Sequence, residues 1–225
     1  MKVLELFAGS CSFSNVAANY GFETYTTDNV QYGEIDEVTN ILAFDYKNLH
    51  FQPDIIWASP PCTTFSVASC YRHWTAPDGN GLRYPKSDAA EIGLNLLVKT
   101  IEIIHYLNPK YYIIENPRGL MRKMPIMLPL PRYTVSYCQY GDTRMKPTDI
   151  WTNVEFDARL CKNGASCHEA APRGSRTGTQ GLKNNHERSK IPYLLCREII
   201  ETILHKENDW IVYRLLFIAW RWSIN

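Results

Sequence analysis

The sequence predicts an α/β fold built on a mostly parallel, twisted sheet with helices on its faces. Two observations carry this. The first half alternates short apolar runs with helix signals, the pattern of strands joined by crossover helices. The 225 residues are 45% hydrophobic and 21% charged, an ordinary globular composition at a length that fits one domain with a small appendage.

The elements follow in order. Residues 3–7 form a short apolar strand that meets the small-residue turn Ala8-Gly9-Ser10. A helix then runs to about Tyr20 and is closed by Gly21. Residues 22–27 are the second strand, ending at Asp28. Residues 54–58 are a further strand, stopped by Ser59-Pro60-Pro61. Residues 88–107 read as a helix: Asp88 and Glu91 have capping-box spacing, and Ile92, Leu96, Ile103 and Leu107 share one face. Residues 111–114 form a strand running into Glu115; residues 133–138 and 149–152 are strand-like. Residues 155–190 are mostly irregular, and helix returns over 192–204.

Charge and cysteine usage bound the function. A net charge of +1 gives no whole-molecule field, so a nucleic-acid surface has to be local. The richest basic stretch is 172–190, with Arg173, Arg176, Lys183, Arg188 and Lys190 against Glu187 alone; on charge alone the solvated surface loop is the default reading. Seven scattered cysteines are not a disulfide framework, and the N-terminus lacks an apolar signal core, so a reducing, cytoplasmic setting is expected. Residues 210–222 are too short and too charged to span a membrane; a packed helix or an association surface is expected there.

In an open parallel sheet, ligands bind beyond the carboxyl ends of the strands. Four strands end in chemically pointed residues: Gly9, Asp28, Cys62 just past the Pro-Pro stop, and Glu115. Phe7-Ala8-Gly9 ahead of a helix allows close backbone approach. Asp28, 19 residues beyond Gly9, suits two ribose hydroxyls, or simply caps a turn. The absence of a G-x-G-x-x-G pattern argues against NAD and leaves a nucleoside cofactor without a pyrophosphate. Two prolines hold the backbone rigid before Cys62. Such a cysteine is either a small buried hydrophobe or, pinned at a strand's carboxyl end, a nucleophile. Glu115 follows four apolar or aromatic residues, so its carboxyl should be partly desolvated and able to exchange a proton; pairing with Arg118 is the structural alternative.

Phe7-Ala8-Gly9, Pro61-Cys62 with Phe65-Ser66, Glu115-Asn116, Tyr140-Gly141, Arg176 to Gly181 and Ile191-Pro192 follow one another in an order that resembles the cytosine-5 DNA methyltransferases, especially compact phage-type members. The resemblance implies a Rossmann-like methyltransferase fold, with an antiparallel strand toward the C-terminal half and a very small recognition insert. It divides the chain into a catalytic, S-adenosylmethionine-binding part (1–153), a DNA-contact insert (154–190) and C-terminal helices packing back on the first part (191–225). It implies that Cys62 attacks C6 of a flipped-out cytosine. Glu115 then holds and protonates N3, and Asn116 sets the loop. Phe7, Ala8, Gly9, Asp28, Asp45 and Pro60 contact S-adenosylmethionine, Asp45 as the acidic residue that follows the family's third strand, which the resemblance places at residues 41–44. Arg144 or Lys146 meets the base's O2 and nearby phosphates. Phe65, Ser66, Arg173, Arg176, Gln180 and Gly181 lie toward DNA. The partner implied is DNA, with no membrane and no obligate protein partner.

Departures qualify the likeness. The glycine-rich first motif is Gly9-Ser10-Cys11-Ser12, and Glu-Asn is followed by Pro117. A recognition domain normally sits between the Tyr-Gly strand and the Arg-x-x-x-Gln-Gly motif; here only 154–172 remains. So short a loop is expected to read one or two flanking bases. Within it, Cys161, Cys167 and His168 surround an Asn-Gly turn and could bind zinc with Cys138 or His186 as fourth ligand, but spacing alone assigns no metal. An RNA (tRNA) cytosine-5 methyltransferase and a catalytically silent DNA-binding module are the competing functions.

Overall fold

The computed structural model describes residues 1–169 and 185–222, with side chains described throughout except at 185–186 and 210–222. Its strands are β1 (Lys2–Leu6), β2 (Glu23–Asp28), β3 (Glu37–Val38), β4 (Ile55–Ala58), β5 (Tyr111–Pro117), β6 (Arg132–Ser136) and β7 (Pro147–Thr152). Its helices are α1 (Ser12–Asn19), α2 (Cys70–His73), α3 (Asp88–Leu107), α4 (Asn185–Ser189) and α5 (Tyr193–Trp222). The strands form one sheet in the order β3-β2-β1-β4-β5-β7-β6. All run parallel except β7, which pairs antiparallel with both β5 and β6.

Both faces of this sheet are covered, which is why the central strands are apolar on both sides. Val3, Ile55, Trp57 and Ile113 face α1 and α5. Leu4, Leu6, Ile56 and Ala58 face Ile103 and Leu107 of α3 and the segment holding Ile41, Phe44 and Tyr46. Phe13 of α1 stacks on Trp57 with ring centroids 4.6 Å apart. In α5, Leu195, Cys196, Ile199, Ile200 and Ile203 recur at helical spacing and enter the same core as β1 and β4.

Three sequence expectations change here. The α3 cap is Ser87, whose Oγ accepts from the Ala90 N–H at 3.3 Å; Asp88 and Glu91 lie in the first turn, where their charge complements the helix dipole. The buried stripe of α3 is Ala90, Gly93, Leu97, Thr100, Ile103 and Leu107, while Ile92 is exposed. Small residues in that stripe let α3 sit close to its neighbours, and apolarity alone does not reveal this. Finally, the third strand is Glu37–Val38; residues 41–43 form a turn in which Ile41 is buried without joining the sheet.

Candidate active site

Strand register brings the pointed residues together. Thr27, Leu6, Ala58 and Ile114 are mutual partners across β2-β1-β4-β5. The next residues along the chain, Asp28, Phe7, Ser59 and Glu115, therefore share the carboxyl edge. The chain leaves β1 toward β2 and β3 on one side, while β4 and β5 lie on the other, so β1 and β4 flank the switch point where such sheets bind ligands. At ~4.8 Å per strand, Asp28 and Glu115 are about 14 Å apart along this edge, room for a nucleoside beside a base.

On the β1–β2 side the backbone turns sharply: Phe7, Gly9 and Cys11 have φ of 57°, 53° and 51°. Two of these three are not glycine, a local strain that the surrounding structure has to hold. Asp28 organises the turn. Its Oδ2 accepts from the Gly9 N–H at 2.9 Å and its Oδ1 from the Val30 N–H at 3.0 Å. Each oxygen keeps a lone pair, so the half-buried carboxylate can still receive two ribose hydroxyls. Below it, the buried Glu5 accepts from the Ser14 N–H at 2.8 Å and the Phe13 N–H at 3.4 Å at the N-terminus of α1. Burial pushes the Glu5 carboxyl up to about 7, against those hydrogen bonds. Burial also pushes the Cys11 thiol up to about 11, helped by Glu5, Asp36 and Asp28. The spare lone pairs of Asp28 beside this open turn fit the ribose diol of a nucleoside such as S-adenosylmethionine.

The β4–β5 side carries the nucleophile loop. Cys62 opens a turn in which its carbonyl accepts from the N–H groups of Phe65 and Ser66 at 3.0 and 2.9 Å. Two glycines let this loop seat. A Cβ at Gly93 would come within 2.8 Å of Thr64 Oγ1, and one at Gly119 within 2.4 Å of the Phe65 carbonyl oxygen. Gly119 instead bridges Ser66, and the next N–H, from Leu120, donates to Phe65 O at 2.7 Å. Asn116 completes the clamp, its Nδ2 donating to Pro60 O at 2.7 Å in a buried contact.

Glu115 is buried, and its Oε1 accepts from the Tyr137 hydroxyl at 2.7 Å. Arg118 is exposed, so Tyr137 takes the place the sequence gave to an arginine. Lys146, itself buried, holds its Nζ 4.5 Å over the Tyr137 ring and donates to Arg188 O at 3.1 Å. Burial pushes the Cys62 thiol up, Glu115 adds to this, and Lys146 opposes it. Burial lowers the Lys146 ammonium while Glu115 raises it. Cys62, Glu115, Tyr137 and Lys146 thus form one electrostatic unit.

Other sequence candidates fall elsewhere. Arg144 is bound to Asp142, with Nε–Oδ1 at 2.9 Å and Nη2–Oδ2 at 2.5 Å, and its Nη1 reaches the carbonyls of Glu187 and Arg188. It ties α4 to the turn, whereas Lys146 acts on Cys62 and Glu115, with Arg188 also favouring the Cys62 thiolate. Phe65 is fully buried against Trp74, so its ring faces the core and not a duplex. Ser66 is half-buried, its hydroxyl 2.7 Å from that of Ser69. Pro60 is buried with its carbonyl taken by Asn116, and Ala8 is buried with its N–H on Thr27 O. Asp45 is exposed, follows no strand, and accepts from Asn48 Nδ2 at 2.8 Å. Arg173, Arg176, Gln180 and Gly181 lie outside the described residues. Sequence reasoning missed Glu5 and Tyr137. Glu5 had a signal, a carboxylate interrupting an apolar strand; Tyr137 had none, because its role depends on β7 placing β6 one strand away from β5.

The fold and site define a parallel-sheet class that sets the Asp28 turn and a cysteine–carboxyl pair on either side of the switch point. A model of the C-5 cytosine-specific DNA methylases matches residues 1–125. A probable DNA (cytosine-5)-methyltransferase of Frog virus 3 (isolate Goorha) is 35% identical over 172 residues, covering 74% of this chain and 78% of that one. The chain belongs to the C-5 cytosine-specific DNA methylase family, and its enzyme class is DNA (cytosine-5-)-methyltransferase. Among solved structures, a putative DNA modification methyltransferase encoded within prophage Cp, from E. coli, shares the fold at TM-score 0.50 and 16% identity, over 68% of this chain and 46% of that one. A mutant of Spodoptera frugiperda DNMT2 aligns at TM-score 0.45 and 16% identity, over 72% of this chain and 53% of that one. The chain spans about half the length of these two structures. Among the described residues, no helix is long and apolar enough to cross a membrane.

Proposed function

We propose that the chain methylates carbon 5 of a cytosine turned out of a DNA duplex, using S-adenosylmethionine and a transient Cys62 adduct at C6, and reading only one or two neighbouring bases. The observation that carries this is the shared edge: a diol-binding carboxylate at Asp28 and, across the switch point, Cys62 and Glu115 in one electrostatic unit.

Cys62 rests as a thiol because burial and the Glu115 carboxylate disfavour the thiolate, so as the sulfur bonds to C6 its proton passes to water or to Glu115. Glu115, protonated for this step, delivers a proton to N3, which makes the ring an electron sink and C5 a nucleophile. Tyr137 holds Glu115 Oε1 and so leaves the other oxygen for the base. Lys146 offsets the charge that builds on Cys62 and Glu115. Asp28 and the Phe7–Cys11 turn would hold S-adenosylmethionine, which supplies an electrophilic methyl when bound. Water takes the C5 proton, the S–C6 bonding pair returns to sulfur, and N3 gives its proton back to Glu115, which restores Cys62. The shortness of the 154–172 segment supports short sequence context.

The test is methyl transfer from labelled S-adenosylmethionine to duplex DNA, single-stranded DNA and tRNA, with Cys62→Ser alongside. Transfer to DNA that disappears in the variant is expected. Transfer confined to tRNA, or undiminished in Cys62→Ser, would overturn the reading.

A further inference from the structure

Away from the active site, four metal-ligating side chains meet at one point. Cys138, Cys161, Cys167 and His168 offer ligand atoms that all lie within 4.8 Å of one another. Cys161 Sγ and Cys167 Sγ are 3.2 Å apart, and Cys167 Sγ and Cys138 Sγ 3.7 Å. His168 Nδ1 lies 3.7 Å from Cys161 Sγ and 3.6 Å from Cys167 Sγ. Four ligands on a tetrahedron around zinc, with Zn–S ~2.3 Å and Zn–N ~2.0–2.1 Å, stand roughly 3.5–3.8 Å apart. All the cysteines are free. We infer that Cys138, Cys161, Cys167 and His168 form a structural zinc site that fastens residues 154–169 to the catalytic sheet.

The surroundings fit. Gln139 Nε2 donates toward Cys167 Sγ at 3.3 Å and Cys138 Sγ at 3.8 Å, the kind of outer-shell donor that metal-bound thiolates take. Gly164, with φ 86°, turns the chain back so that Cys161 and the Cys167-His168 pair face each other. Both ends of this knuckle are anchored: the Cys161 N–H donates to Ser136 Oγ at 3.0 Å and the Glu169 N–H to Thr143 O at 2.9 Å. Metal on Nδ1 places the His168 proton on Nε2, so the long 3.4 Å approach of the Gly164 N–H to that atom would relax.

The physical need is plain. Residues 162–167 are all exposed, so burial contributes almost nothing to holding the loop, and a segment without a core needs a cross-link. All four ligands bind through atoms that one divalent ion satisfies with no open position, the arrangement of a structural rather than a catalytic site. Cys138 directly follows Tyr137, so the ion would clamp the turn that brings the Tyr137 hydroxyl to Glu115. The zinc site itself does not depend on the methyltransferase reading.

The test is metal analysis of tag-free protein purified without chelator. About one zinc per chain is expected. It should be lost in Cys161→Ser and Cys167→Ser and kept in Cys70→Ser, which lies outside the cluster. Should the ligand variants fail to fold, stripped wild type titrated with cobalt(II) decides the matter: intense tetrahedral d–d absorption with thiolate charge-transfer bands supports the site. A folded wild type that holds no metal and gives no such cobalt spectrum overturns it, as does zinc retained in both ligand variants or a Cys161–Cys167 disulfide found in place of the metal.

Discussion

Tyr137→Phe isolates the contact that aims the catalytic carboxyl. The substitution removes one oxygen, leaves the ring under Lys146 Nζ, and opens no cavity able to reshape the site. Its effect falls on the 2.7 Å hydrogen bond to Glu115 Oε1, in which both partners are buried, and on the Thr148 side chain that also meets the Tyr137 hydroxyl. In the proposed reaction Glu115 gives up a proton, so this bond passes from a neutral carboxyl to a carboxylate as the transition state forms. Bonds to neutral groups contribute ~0.5–1.5 kcal/mol and bonds to charged groups ~1.5–3 kcal/mol. The difference, about 1–1.5 kcal/mol, slows the chemical step roughly 5- to 10-fold. The bond is lost from the resting protein as well, which lowers stability by about 1–3 kcal/mol. The assay is single-turnover methyl transfer to duplex DNA, with KM for S-adenosylmethionine and urea unfolding measured alongside. A rate within roughly twofold of wild type, or a loss confined to KM, would refute the view that Tyr137 acts on Glu115 during the reaction.

Two further outcomes follow from charge and burial. Lys146→Met removes the group that counters burial and Glu115 at Cys62, so the thiol moves further up; at neutral pH, iodoacetamide should label Cys62 several-fold more slowly, read by peptide mass spectrometry, and faster labelling would contradict the assignment. Glu5, raised from its ordinary 4.5 to about 7, keeps a proton in the folded state that the unfolded chain has lost between those values. Stability therefore falls as pH rises through that window, by on the order of 3 kcal/mol. Urea unfolding at about pH 5 and about pH 8 should show this slope in wild type, and Glu5→Gln should flatten it and be the more stable protein at the higher pH.

The chemistry was readable in the chain because it rests on local rules. Pro60-Pro61-Cys62 and Glu115-Asn116 declare rigid, strand-terminal positions, and the principle that ligands bind beyond the carboxyl ends of parallel strands places them together without coordinates. Asp28 was legible for the same reason, as an acidic residue at the end of the strand after a small-residue turn. Phe65 sits in a motif beside Cys62, but its ring is buried against Trp74 under the loop. Asp45 follows an apolar run that looks like a strand but forms a turn, so only the element ahead of it was misread. Arg144 and Lys146, two residues apart, were inseparable by counting; burial of Lys146 and the Asp142 partner of Arg144 separate them.

The sequence by itself determined the parallel sheet, its apolar strands, and the cysteine and carboxyl at its edge, since each depends on residue type and short-range spacing. Tertiary structure decided what long-range pairing controls. It set which residue orients Glu115, because β7 reverses and carries β6 and Tyr137 back toward β5. It chose Cys138 as the fourth member of the sulfur–imidazole cluster, because ligand atoms from residues 138 and 161–168 converge in space without any regular interval along the chain. It also made Glu5 a buried proton holder, because α1 starts directly above a strand interior that the sequence marks only by one acidic residue among leucines.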